Sequence, residues 1–148
     1  MKILINDIEP NSGIDTWRDA IDFASKKLYD VGYVTKDFGE NCIKREEIYP
    51  TGLETNFPVA IPHTESEFVN ETAISVLRLK NTIMFHNMAD SSLDVDVHYV
   101  FNLAIKEKQN QVVFLSKIIG LVQDSEKLKE MFKMDKRQFE KEFLKMMD

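Results

Sequence analysis

Between Trp17 and Val31 the apolar residues Trp17, Ile21, Ala24, Leu28 and Val31 recur at steps of three or four, which places them on one side of a helix. Asp15 is the cap expected at its start and Gly32 the residue that closes it. A second helix is expected from a Thr35 cap towards Tyr49, and Pro50 ends it because the residue before a proline is pushed out of the helical region. From Pro50 to Pro62 the chain carries three of its four prolines together with Gly52. That stretch predicts a structured loop whose short apolar piece, Val59-Ala60-Ile61, leads into Pro62-His63.

Ala73–Leu79 and Ile83–Phe85 predict two short strands joined by a turn at Lys80-Asn81. The clearest alternation follows, with Val95, Val97, Tyr99, Phe101 and Leu103 on one face and Asp94, Asp96, His98 and Asn102 on the other. Val112, Leu115, Ile118, Ile119 and Val122 then mark an amphipathic helix, and helical segments are expected over Ser125–Lys133 and Asp135–Met147. The order helix, helix, strands, helices predicts an α/β (α+β) fold, a three-layer sandwich in which helices flank a small mixed β-sheet. A length of 148 residues suits one domain, 1–148, with a single sizeable core.

Composition narrows the function classes. Hydrophobic residues at 43% and charged residues at 30% describe an ordinary folded chain rather than a disordered one. The net charge is −6, and no Lys/Arg block interleaves with aromatics, so no nucleic-acid partner is expected. The single Cys42 forbids an internal disulfide, and it sits in a helical pattern that makes it core rather than nucleophile. MKILINDIEP has neither the basic region nor the long apolar run of a secretory signal, and no apolar stretch approaches the roughly 20 residues that span a bilayer. A cytoplasmic protein without direct membrane insertion is expected.

Chemistry falls to the three histidines, His63, His86 and His98. None has a Cys or His neighbour at metal-ligand spacing, and neither HExxH nor CxxC occurs, so no metal and no cofactor is expected. His86 follows a short strand and His98 lies on the polar face of the long one; surface positions account for both. His63 differs, because an apolar run ends in proline and then abruptly in histidine. Pro62 fixes its own φ and restricts Ile61, which is expected to hold the imidazole on a stiff loop at the edge of the core, presented to solvent. A buried histidine satisfied by backbone is the bland alternative. A neutral imidazole nitrogen is a competent nucleophile towards phosphorus, provided its other nitrogen is hydrogen-bonded, by Thr64 or by a backbone carbonyl. Arg45 offers a planar fork matched to phosphate oxygens, against the plainer reading of a solvated helix arginine paired with the adjacent acids of Lys44-Arg45-Glu46-Glu47. There is no glycine-rich phosphate loop and no GxSxG elbow.

Arg45-Glu46-Glu47, Pro50-Thr51-Gly52-Leu53 and Val59-Ala60-Ile61-Pro62-His63, in that order, resemble the signature region of IIA domains of the mannitol–fructose class of the bacterial phosphoenolpyruvate-dependent sugar phosphotransferase system (PTS EIIA type 2). The resemblance implies that His63 accepts a phosphoryl group from phospho-HPr and passes it to a cysteine of a cognate IIB protein, and through it to a membrane IIC. It also implies that Arg45 neighbours the phosphohistidine and stabilises its phosphate. Two departures stand out. Thr64 follows the histidine where a small residue is usual, and Gln111 stands in the best register where a second histidine is common. Glutamine still donates an N–H to a phosphoryl oxygen but carries no charge. Both features, with Phe85-His86-Asn87-Met88-Ala89-Asp90 and Asp94-Val95-Asp96-Val97, are similar to the galactitol-specific branch, which implies uptake of a sugar alcohol of that type. Two other functions remain open: a regulatory module of the same fold whose phosphorylation state controls a protein partner, and an interaction domain in which His63 is structural.

Overall fold

The computed structural model describes residues 1–147. The chain opens with a strand, β1 (Lys2–Ile8), where no element was expected. Its apolar run, Ile3-Leu4-Ile5, is too short to show a period, and the strand is stable only because it lies parallel along Ala73–Leu79 at the sheet edge. Helix α1 (Trp17–Asp30) follows, then α2 (Phe38–Ile48), β2 (Gly52–Leu53), β3 (Val59–Ala60), β4 (Ala73–His86), β5 (Asp94–Ala104), α3 (Gln111–Val122), α4 (Ser125–Met131) and α5 (Lys136–Met147). The sheet runs β1-β4-β5-β3-β2. β1 and β4 are parallel, β4 and β5 antiparallel, β3 and β5 parallel, and β2 and β3 antiparallel, so the sheet is mixed as expected.

The two expected strands before His86 are one. Ala73–Arg78 pairs with Tyr99–Ala104 and Ile83–His86 with Asp94–Val97, and the residues between form an irregularity rather than a turn. A single long partner strand holds both halves in line. The alternation of β5 also departs from expectation. Val95 and Val97 join the apolar cluster beneath α1 and α2, whereas Tyr99, Phe101 and Leu103 join the one containing α3, α4 and α5 residues. The shift in packing coincides with that irregularity. Asn102, expected on a polar face, is fully buried and donates to Ser25 Oγ at 2.7 Å. Helices therefore cover both faces of the sheet, in the three-layer arrangement expected from the sequence.

Arg78, also buried, ties edge strand to helices. Its Nε and Nη2 meet Asp7 at 2.6 and 3.0 Å, and its Nη1 donates to the Met131 and Met134 carbonyls. Helix starts differ from expectation in detail. Thr16, not Asp15, caps α1: its hydroxyl accepts from Asp19 N–H at 3.1 Å while the Asp19 carboxylate accepts from Thr16 N–H, a reciprocal capping box. Asp37 rather than Thr35 precedes α2, and no side chain caps it. Thr16→Ala should cost about 1 kcal/mol of stability, read as a lower urea midpoint at unchanged slope.

Candidate active site

β3 delivers the histidine. Val59 and Ala60 pair with Tyr99 and Val100, Pro62 O accepts from Leu103 N–H at 2.9 Å, and His63 bridges to Leu103, so the chain stays stitched to β5 up to the imidazole. Pro50 turns the chain from α2 into β2, and Gly52 lets β2 touch the end of β4. A Cβ at Gly52 would lie 2.5 Å from the His86 carbonyl oxygen, a backbone atom that cannot yield. Gly52 O then accepts from Met88 N–H at 2.8 Å, which hooks the following loop beside the histidine. The resulting cleft, about 490 Å³, is lined by Arg45, Ile48 and Tyr49 from the end of α2, Thr51 and His63 from the loop, Met88 to Ser91, and Leu115 and Ile119 of α3.

His63 is only 7% exposed, so the ring is not held out on a loop rim as expected; it forms part of a cleft wall. Packing of α2 and α3 on either side of the loop accounts for this. Its Nδ1 lies 2.8 Å from the Ile61 carbonyl oxygen. A carbonyl only accepts, so Nδ1 carries the proton and Nε2 keeps its lone pair. The orienting group is thus this backbone carbonyl and not the Thr64 hydroxyl, which makes no hydrogen bond to the ring. Nε2 has no partner among the described residues, and it is not one of the unpartnered polar atoms sealed from solvent. Burial pushes the His63 pKa below the ordinary histidine value, and the positive charge of Arg45 adds to this, against opposing contributions from the Ile61 hydrogen bond and Glu65. The ring is neutral at pH 7.

Arg45 lines the same cleft, with its guanidinium 5.4 Å from the Tyr49 ring centroid. Its ion-pair partner is Glu65, at a loose 3.8 Å, and not its sequence neighbours. Glu47 instead pairs with Arg18 at 3.2 Å. Arg45 Nε is sealed from solvent without a hydrogen-bond partner, a donor that an anion would satisfy.

Glu46, read from sequence only as a helix-surface acid, is 4% exposed. Its carboxylate accepts from Thr51 N–H at 2.6 Å and from the Thr51 hydroxyl at 2.9 Å. Thr51 Oγ1 in turn accepts from Ile61 N–H at 3.1 Å. Burial raises the Glu46 pKa to about 7, with the Thr51 donors pulling the other way. Gln111 opens α3 and donates from Nε2 to Thr64 O at 3.1 Å, so it grips the backbone just past His63, although neither Gln111 nor Thr64 lines the cleft.

His86 and His98 lie outside the cleft lining. His98 stacks on Phe57 at 4.0 Å, and His86 Nδ1 sits 3.4 Å from Asp94. Cys42 is buried, its thiol near Asn102, as a core position requires. A separate groove of about 550 Å³ between α1 and α2 carries interspersed lysines and acids but no histidine, which makes the His63 cleft the candidate site. Neutral imidazole with an open lone pair, flanked by a guanidinium and held by backbone, is equipped to take an electrophilic anion such as a phosphoryl group.

Comparison with known proteins agrees with the motif. Residues 2–146 match the family model described as phosphoenolpyruvate-dependent sugar phosphotransferase system, EIIA 2. The galactitol-specific EIIA component of Escherichia coli K12 is 30% identical over 115 residues, covering 77% of this chain and 76% of that protein. The transcriptional regulator ManR of Bacillus subtilis is 31% identical over 81 residues, which is 55% of this chain but only 11% of the regulator. Among solved structures, mannitol IIA of E. coli aligns with a TM-score of 0.70 at 17% identity, covering 99% of this chain and 96% of that one. A complex of E. coli mannitol enzyme IIA with phosphorylated enzyme IIB aligns at 0.66 and 19% identity, covering 99% and 93%. The chain belongs to the EIIA type 2 family of the phosphoenolpyruvate-dependent sugar phosphotransferase system.

Proposed function

We propose that residues 1–148 form one domain that works as a phosphocarrier, accepting a phosphoryl group from phospho-HPr on His63 Nε2 and passing it to the cysteine of a cognate IIB protein. The lone pair of Nε2 attacks phosphorus, the new N–P bond forms, and the electron pair of the breaking bond leaves with the donor; the second transfer repeats this with the cysteine sulfur as acceptor. The observation that carries this reading is the Nδ1 contact with the Ile61 carbonyl, which leaves Nε2 as the nucleophile in a cleft shared with Arg45. Arg45 stabilises the phosphoryl oxygens, and Gln111 contributes by holding the Thr64 carbonyl just past His63. The protein then serves as the cytoplasmic component of a transport system; no described helix is long and apolar enough to cross a membrane. The apolar side chains Ile48, Tyr49 and Met88, exposed on the cleft lining, supply the surface on which HPr and IIB dock in turn.

The similarity to the galactitol-specific component supports a polyol of that class as the transported sugar. The test is phosphotransfer in vitro. With phosphoenolpyruvate, enzyme I and HPr, the protein gains one acid-labile, alkali-stable phosphoryl group and passes it fastest to a galactitol-type IIB among purified IIB proteins of differing specificity. Equal transfer to all, or faster transfer to a hexose IIB, overturns the sugar assignment.

A second reading has its own support, the match to part of a transcriptional regulator. In that case phosphorylated protein passes nothing to any IIB and instead changes its affinity for a protein target according to the state of His63.

A further inference from the structure

We propose that Glu46 is a positioning residue for His63, acting through Thr51 and Ile61 to hold the imidazole in its reactive tautomer; this rests on His63 being the phosphoryl acceptor. Glu46 is nearly buried and has no cation within ion-pair distance among the described residues. Its neighbour Arg45 is turned to Glu65. It also sits in the last turn of α2, where the helix dipole disfavours a negative charge. Burial of a carboxylate there carries a desolvation cost that the Thr51 donors offset only in part, which is why its pKa stands raised. What it gains is confined to one residue: all of its hydrogen bonds come from Thr51.

Those bonds have a direction. When Glu46 is ionised, as it is above its pKa of about 7, Thr51 sends its one hydroxyl proton to the carboxylate, so the Oγ1 lone pairs are free to accept the Ile61 N–H at 3.1 Å. Ile61 is then held at its nitrogen by Thr51, locked behind by Pro62, and offers its carbonyl to Nδ1–H of His63 at 2.8 Å. The carboxylate is the terminal acceptor of this chain. A free histidine ring prefers its proton on Nε2, the nitrogen remote from the backbone. The Ile61 carbonyl reverses that preference, and only the reversed tautomer leaves a lone pair on Nε2. Loosening Ile61 therefore lets the ring relax to a form that cannot attack phosphorus, without altering the surface that a donor protein touches.

The test uses the full chain with Thr51→Val, which keeps shape and removes the hydroxyl, Thr51→Ser, which restores it, and Glu46→Gln. Ring ¹⁵N–¹H correlation spectra at about pH 8, above the Glu46 pKa of about 7, report the tautomer, and initial rates against phospho-HPr separate kcat from KM. Wild type and Thr51→Ser should show Nδ1–H. Thr51→Val and Glu46→Gln should show a growing Nε2–H population, with kcat reduced about tenfold to a hundredfold and KM within about a factor of two. Wild-type spectra and rates in both variants, or equal losses in kcat and KM with an unchanged tautomer, overturn the proposal. Should Thr51→Val fail to fold, Glu46→Gln decides by the same spectra. The tautomer measurement needs no phosphoryl donor. A wild-type protein that stays unlabelled by phospho-HPr would therefore sink the phosphocarrier reading, and would be seen apart from a failure of Glu46 to control the ring.

Discussion

His63→Ala should take up no phosphoryl group from phospho-HPr under conditions that label the wild-type protein fully. The expectation is complete loss rather than a slower rate because nothing else in the cleft replaces the imidazole. Thr51 and Ser91 contribute hydroxyls, but that of Thr51 is buried and engaged by Glu46 and the Ile61 N–H, a serine hydroxyl is a poor nucleophile without an adjacent base, and His86 and His98 stand outside the cleft lining. The variant should remain folded. The lost Nδ1–H bond to Ile61 is worth about 1 kcal/mol, and water entering the open cleft can take its place. A signature in acid should accompany the loss. Burial, with Arg45, holds the His63 pKa below 6.5, so the native state binds this proton less tightly than the unfolded chain does. Stability from this group is lost as pH falls through the window below 6.5, and the alanine variant should lack that part of the acid sensitivity. Mass spectrometry for the label and urea unfolding at two pH values read both effects. Full labelling of the variant, or a label found on His86 or His98, would remove His63 from the mechanism.

The sequence carried the long-period features of this fold well. Helix α1 buries a side that repeats over several turns, and β5 alternates over its first half before both faces are covered; such repetition survives in a single sequence. The misses have a common cause in non-local pairing. β1 is three apolar residues followed by Asn6 and Asp7, and it becomes a strand because β4 offers it a backbone edge 70 residues later in the chain. β2 and β3 are two residues each, and were visible only as a proline-rich loop with an apolar piece. Lys80-Asn81 has turn composition, while the pairing that keeps β4 in line past it comes from β5.

At the site, the residues that belong to the motif were legible and their wiring was not. Pro62 and the apolar run before it announced a constrained imidazole, but the burial of that ring comes from α2 and α3 packing on the loop, which local sequence does not encode. Thr64 was a natural guess for the orienting group, since it is adjacent; the ring instead turns back to a carbonyl two residues earlier. Glu46 was hidden for a different reason. In Lys44-Arg45-Glu46-Glu47 it has the look of a solvated face, a fate that Lys44 and Glu47 meet and Glu46 does not. The available signal was its separation of five residues from Thr51 across a helix-ending proline, a distance at which the chain folds back on itself.

Arg45→Met should slow phosphoryl acceptance by roughly 10²–10³-fold while leaving stability within about 1 kcal/mol of wild type. The two magnitudes separate because Arg45 does little for the resting protein. Its ion pair with Glu65 is long at 3.8 Å and more than a third exposed, and such a pair contributes little. Methionine retains an apolar stem against Tyr49, so packing is kept. In the transition state the balance should change. Charge spreads over the phosphoryl oxygens, and a guanidinium in a partly desolvated cleft would act where water is scarce. The positive charge also helps hold the His63 pKa down, so in Arg45→Met the ring should titrate closer to 6.5, a shift visible by NMR in the unphosphorylated protein. Arg45→Lys keeps the charge without the fork, and should lie between the two in rate while preserving the low His63 pKa. A wild-type transfer rate in Arg45→Met would show that the phosphoryl group is stabilised from elsewhere. The donor protein's own cations would then be the groups left to neutralise it.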